Sequence, residues 1–243
     1  MNLLVLGESC ADIFSYGECG RLCPEAPVPV FNLIKTVTNA GMAMNVKSNL
    51  ESLGAQVNIH TNKNWQNITK TRFIDLKSNH MFMRLDCNDT SYGKSSIKKI
   101  NFKKYDGIVI SDYNKGFLSN KDIEYICSHH PNTFLDTKKI LGDWCAAAKF
   151  IKINSHEYDA SAPTLTDKIK NKVIITMGPR GCLHNEIVYP VKEVEIKDVS
   201  GAGDTFLSGL CYKFLLGGDI ADSIKFANEC ATKVVQKRGV SVV

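Results

Sequence analysis

The sequence predicts an α/β fold: a mostly parallel central sheet covered by helices, with a smaller β appendage beside it. Three observations carry this. Short continuous apolar runs recur along the 243 residues, at Leu3–Leu6, Ile108–Ile110 and Val173–Ile175, and such runs mark strands buried on both faces, as in parallel sheets. Segments with helical spacing lie among them, as in Ala43, Val46, Leu50 and Leu53. The proline-rich stretch Pro24–Pro29 and the alternating segments 69–74 and 81–86 fit neither pattern. They suggest a separate small sheet.

Composition narrows the function. A chain of this length that is 44% hydrophobic can bury one sizeable core. The formal net charge of +5 is scattered apart from the pairs Lys98-Lys99 and Lys103-Lys104. With neither a basic stripe nor an aromatic platform, a nucleic-acid binder is the least expected reading, whereas an anionic substrate suits the excess. No stretch approaches the ~20 apolar residues of a membrane span, and the N-terminus lacks a signal peptide's basic region. Nine cysteines without a Cys-x-x-Cys pair imply free thiols in a reducing, cytoplasmic setting. Cys19-x-x-x-Cys23 has no matching ligand pair, so no structural zinc is expected.

In chain order, Leu3–Leu6 reads as a central strand ending at Gly7, with Asp12 in a loop just beyond its carboxyl end, where open α/β sheets place ligands. Three prolines between 24 and 29 demand extended or edge backbone before a strand through Val30, Leu33 and Ile34. Asn39–Val46 opens a helix capped by Gly54. Val57–His60 is a strand, 69–86 a hairpin, and 106–112 and Phe150–Asn154 are further core strands. Ile220–Lys237 closes the chain as a helix with one apolar stripe.

The most informative stretch is Asp198-Val-Ser-Gly-Ala-Gly-Asp-Thr-Phe206, followed at helical spacing by Leu207, Leu210 and Phe214 and stopped by Gly217-Gly218. A tight glycine turn feeding a helix leaves unpaired N–H groups at the positive end of the helix dipole, which suits an anion. Gly201, Ala202 and Gly203 carry no side chain that would hold a phosphate away. Asp204 in the first turn fits two roles, a dipole-stabilising acid or a base for phosphoryl transfer. Neither a dinucleotide fingerprint, which would need glycine at Phe206, nor a P-loop fits.

Asp198-Val-Ser-Gly-Ala-Gly-Asp204 resembles the C-terminal signature of the ribokinase-type (PfkB) sugar kinases. The resemblance implies a ribokinase-like three-layer sandwich spanning residues 1–243, with a β lid drawn from about 13–37 and 69–86. It makes Asp204 the catalytic base and Gly201, Ala202 and Gly203 the anion hole. Pro24-Glu-Ala-Pro-Val-Pro-Val30 and Ser111-Asp-Tyr-Asn-Lys-Gly116 are similar to segments of bacterial kinases acting on the anomeric hydroxyl of D-glycero-D-manno-heptose 7-phosphate.

The same resemblance assigns sugar contacts to Asp12, Gly41, Asn45, Arg84, Asp86, Lys115 and Lys138, with Met42 standing where the family has a second glycine. Lys115, Lys138 and Arg84 are the cations expected at the end of the pocket opposite Asp204. Asn154, Ser155, His156 and Glu157 match the family's Asn-x-x-Glu, which organises Mg²⁺ and its waters; Asn154 and Glu157 are its expected partners. Thr176, Gly178 and Gly181 match the nucleotide-side turn, and Asn228 and Gly239 fall where the family builds its adenine pocket. The implied function is an ATP- and Mg²⁺-dependent sugar kinase, cytoplasmic and homodimeric through its lid. Segments 61–68 and 158–172 are shorter than the family pattern. Another sugar or sugar-phosphate kinase, or a silent sugar- or nucleotide-binding relative, are the alternatives.

Overall fold

The structure, a computed structural model, describes residues 1–90 and 92–243. Strands β1 (Asn2–Gly7), β4 (Gln56–His60), β7 (Gly107–Asp112), β8 (Thr133–Thr137), β9 (Phe150–Asn154) and β10 (Val173–Thr176) run parallel in the order β10-β9-β8-β7-β1-β4. An antiparallel hairpin, β11 (Cys182–His184) and β12 (Ile187–Tyr189), extends the sheet beyond β10.

Successive strand side chains point to opposite faces, so the apolar runs divide the core into two halves. Leu3, Val5, Val109 and Ile174 pack with Val46 and Leu50 of α1 (Ala43–Ser52), Phe206 and Leu210 of α5 (Ala202–Gly217) and Ile224 of α6 (Ile220–Val235). Leu4, Leu6, Ile110 and Ile153 pack on the other face with Ile123 and Ile126 of α2 (Asn120–His129) and Ile169 of α4 (Asp167–Lys170). Each such side chain, fully buried, contributes about 1.5–3 kcal/mol. Both faces are thereby covered, and the fold is the three-layer α/β sandwich expected from the sequence.

A second sheet holds β3 (Pro29–Met42), β2 (Ser9–Leu22), β5 (Thr69–Asp75) and β6 (Met81–Cys87) in the order β3-β2-β5-β6, with β2 and β5 parallel and the other pairs antiparallel. Its extent, 9–42 and 69–87, exceeds the 13–37 and 69–86 of the sequence reading. The chain passes from one sheet to the other at Glu8, so Asp12 lies inside β2 rather than in a loop. The prolines form the tip of the long β2–β3 hairpin, and β3 is an edge strand, which accommodates Pro29 without a missing ladder bond. Residues 39–42 finish β3 and the helix starts only at Ala43. Helix α2, capped by the reciprocal Ser119–Asp122 box, went unread in the sequence.

The corner between β3 and α1 falls on Met42, which adopts φ 61° and ψ −128° while 4% exposed. A side chain in that region costs about 1–3 kcal/mol. In ordinary backbone, alanine outdoes glycine by roughly 0.5–1 kcal/mol. At this corner we expect the reverse: Met42→Gly will be more stable than Met42→Ala by about 1 kcal/mol. Urea denaturation of the two variants checks this, and an alanine variant at least as stable would show that the corner carries no strain.

Candidate active site

Helix α5 starts at the glycine turn. Gly201 is its N-cap at φ 80°, and a Cβ there would lie 2.7 Å from Nδ2 of Asn45, so an ordinary side chain fits neither the backbone nor the space. Asp198 braces the turn, its carboxylate accepting the N–H of Ser200 at 2.8 Å and of Gly239 at 3.1 Å. Asp204 follows within the first helical turn, 5% exposed. Its Oδ2 accepts from Asn45 Nδ2 at 2.9 Å, and its Oδ1 accepts from the Tyr113 hydroxyl at 3.0 Å. Burial pushes the Asp204 carboxyl up to about 6, against the Asn45 hydrogen bond. An acid so tuned is a carboxylate at neutral pH and still basic enough to take a proton.

Two cavities meet at this residue. The larger, about 810 Å³, is walled by the 201–203 turn, Asp136, Lys152, Asn154, Thr176, Gly178, Gly181 and Asn228. The smaller, about 390 Å³, lies under the second sheet and is walled by Asp12, Met42, Asn45, Lys70, Arg72, Arg84, Asp86, Asp89 and Lys115. Tyr113, Lys138, Gly201 and Asp204 belong to both. The carboxyl ends of β7, β8, β9 and β10 deliver Tyr113, Lys138, Asn154 and Thr176 to these walls, the usual place for ligands in an open parallel sheet.

The smaller cavity carries an unusual charge pattern. Strand register sets Arg72 opposite Arg84 and Lys70 opposite Asp86. Arg72 binds Asp12 at 2.7 Å, Arg84 chelates Asp86 at 2.7 and 2.8 Å, and Asp89 takes hydrogen bonds from Lys70 and from Lys115, the latter at 2.6 Å. Burial alone would raise the Asp89 carboxyl, but the bonds from Lys115 and Lys70 prevail and hold it well below the usual range. Two arginines directly opposite one another are unfavourable without counter-charge. Counting Lys138 and Asp204, which it shares with the larger cavity, five cations against four carboxylates leave this cavity suited to an additional anion. Gly41 makes room for Asp12, since a Cβ there would lie 2.5 Å from Asp12 Oδ2.

Most expected site residues converge, and the exceptions are informative. Lys138, placed by the sequence reading at the end opposite Asp204, stands at the junction instead. It binds Glu157 and lies 3.6 Å from Asp136 Oδ1. Asn154 and Glu157 form a reciprocal capping box at the start of α3 (Ser155–Ser161), with Glu157 N–H donating to Asn154 at 2.9 Å and Glu157 accepting the Asn154 N–H at 2.8 Å. Ser155, His156, Glu157 and Gly239 lie outside the walls of the larger cavity; Gly239 serves the Asp198 brace.

Sequence reasoning missed Glu8, Lys70, Arg72, Tyr113 and Lys152. Lys70 and Arg72 alternate on β5, a two-residue basic period that was readable. Glu8, fully buried, accepts the backbone N–H groups of Tyr113, Lys115 and Phe117 at 2.8, 3.0 and 3.3 Å. It thereby holds the turn that presents Tyr113 and Lys115, and nothing local in the sequence announces that.

Comparison with known proteins agrees with this geometry. A family model described as pfkB family carbohydrate kinase matches residues 32–242. The bifunctional protein HldE of Helicobacter acinonychis is 29% identical over 98% of this chain, and that of Aliarcobacter butzleri is 30% identical over 98%. The chain spans 63% and 61% of their respective lengths. Among solved structures, a ribokinase from Thermotoga maritima superposes with a TM-score of 0.70 at 13% identity, covering 98% of this chain and 94% of that one. A nucleoside kinase from Methanocaldococcus jannaschii gives 0.71 at 15% identity, covering 98% and 93%. These two show the fold.

Proposed function

The chain belongs to the pfkB family of carbohydrate kinases, and from that premise we propose that it transfers the terminal phosphoryl group of ATP to the anomeric hydroxyl of a heptose 7-phosphate. The observation that carries this reading is the junction. One buried carboxylate, Asp204, sits where two separate cavities meet, beside the glycine turn that opens α5. The larger cavity takes ATP, with its phosphates toward residues 201–203. The smaller takes the sugar, with Asp12 and Asn45 as hydroxyl partners.

Asp204 accepts the proton of the attacking hydroxyl, and the turn's N–H groups receive the charge that develops on the transferring group. Asn45 and Tyr113 each hold one Asp204 oxygen, so the carboxylate is oriented before substrate arrives. Lys138 stands between donor and acceptor sites as a point charge. Asn154 walls the larger cavity, whereas Glu157 lies behind it with one oxygen on Lys138 and the other on the Asn154 N–H, so the pair would meet a Mg²⁺ carried on the nucleotide through its waters rather than directly. When bound, that ion would screen the phosphate oxygens from the incoming hydroxyl.

A phosphorylated sugar is favoured over a plain one by the charge pattern of the smaller cavity. Lys70, Arg84 and Lys115 can exchange part of their pairing with Asp86 and Asp89 for a phosphate. Similarity to the HldE proteins supports the heptose assignment. The test is ATP consumption over a panel of sugars. Turnover with heptose 7-phosphate far above that with heptose, ribose or fructose 6-phosphate is expected, and equal or greater use of another sugar would overturn the heptose reading.

The lid also makes an interface prediction. Leu33, Ile34 and Val37 of β3 and Met81, Met83 and Leu85 of β6 are exposed, and these are the two edge strands of the second sheet. Exposed apolar edges invite pairing. A second copy covering this sheet is expected, so light scattering at micromolar concentration will report a dimer of about twice the 26.9 kDa chain mass. A stable monomer would contradict the interface.

A further inference from the structure

Lys152 has no part in the reading above, yet its position is hard to account for as packing. It lies near the end of β9, two residues before Asn154, and is 3% exposed. A Cβ built on Gly203 would lie 2.9 Å from its ammonium. Both residues wall the larger cavity. Asp136 Oδ2 accepts a hydrogen bond from it at 2.8 Å, which uses one of the three donors an ammonium carries.

The start of α5 is the positive end of a helix dipole, where acids are favoured and cations are not. A buried ammonium against that end adds charge of the same sign to the same space. Such an arrangement is unfavourable empty and becomes favourable when an anion sits between the two. Asp136 tethers the ammonium without filling the space, and its Oδ1 faces the Lys138 ammonium at 3.6 Å without a hydrogen bond. A purely structural ion pair would be replaceable by apolar side chains at little cost and would have no reason to face a cavity.

We infer that Lys152 is the side-chain half of the anion-binding turn: its ammonium binds the terminal phosphate of the nucleotide together with the backbone of residues 201–203, and Asp136 holds it there. This rests on the reading that the larger cavity takes ATP. The carboxylates walling the larger cavity are Asp136 of β8, Asp204 of α5 and Glu193, and the cations besides Lys152 are Lys138 after β8 and Lys192. A side chain at Gly203 would displace the ammonium from its present position.

Calorimetric titration with ATP and with AMP, without sugar, provides the test. Lys152→Met should weaken ATP binding by about 10-fold or more, as for a lost hydrogen bond to a charged group, and leave AMP binding unchanged. Its kcat with the best sugar should also fall by roughly 10²-fold, the order seen when one donor to a developing anion is removed. Lys152→Arg, which keeps the charge and the Asp136 pair, should recover most of the ATP affinity. Because Lys152→Met leaves Asp136 buried without its partner, the double variant Asp136→Asn/Lys152→Met is measured beside it and should show the same selective loss. Equal ATP affinity in wild type and variants, or an equal loss for ATP and AMP, overturns the inference while leaving a working kinase. A wild-type protein that binds neither nucleotide would sink the kinase reading itself, and this inference with it.

Discussion

Asp204→Asn will lower kcat by roughly 10²–10⁴-fold, the range for general base catalysis, with ATP affinity nearly unchanged. Asparagine keeps the size of aspartate and can still accept from Asn45 or Tyr113, but it cannot take a proton. Because the Asp204 carboxyl lies at about 6, kcat/KM of the wild type should fall as pH drops through that value and level off above it. The sign for stability is opposite. A carboxyl raised by burial costs stability once ionised, so the penalty is absent below the ordinary aspartate value near 4 and complete above about 6. Asp204→Asn should therefore gain in stability relative to wild type as pH rises from 4 to 7, even as activity is lost. A variant with near-normal turnover would reduce Asp204 to a helix-dipole residue.

Lys115→Met is expected to raise KM for a phosphorylated sugar so that kcat/KM falls about 10- to 150-fold, the weight of a hydrogen bond to a charged group. Its effect on kcat should be small, since a phosphate remote from the reacting atoms is bound alike in ground and transition states. The structure explains why this lysine is available. Lys115 is about one-third exposed at the cavity wall and binds Asp89, which Lys70 and Tyr92 also contact. Losing Lys115 leaves Asp89 partly satisfied, so folding should tolerate the change. A sugar without a phosphate should show no such penalty. Lys138→Met makes the contrast: at the junction with Asp204 its loss should appear in kcat rather than in KM for sugar. An unchanged KM in Lys115→Met and in Arg84→Met would remove the phosphate from the smaller cavity.

Much of this was legible in the sequence because the informative signals are local. The apolar runs of β1, β7 and β10 announce a two-sided buried sheet, and the 198–206 stretch encodes its own turn and helix. Asp12, Asn45, Asn154 and Asp204, named through the family resemblance of short motifs, all wall the two cavities. What stayed hidden depends on chain crossings. Glu8 acts on residues more than 100 positions away, and Lys152 gains its place only when β9 lies beside β8 and below α5. Lys138 was misplaced because sequence shows that it follows a strand, not that β8 lies between the two cavities. The helix start was read too early because a strand can run straight to a corner held by one residue at positive φ.

The central claim is the transfer of phosphoryl from ATP to the anomeric oxygen of a heptose 7-phosphate, and phosphorus NMR of the reaction mixture tests it most directly. With wild-type protein, ATP and D-glycero-D-manno-heptose 7-phosphate, the account predicts stoichiometric ADP and one new sugar-phosphate resonance coupled to the anomeric proton, with the original 7-phosphate resonance retained. ATP left intact, or a new phosphate coupled to any other ring position, would contradict it.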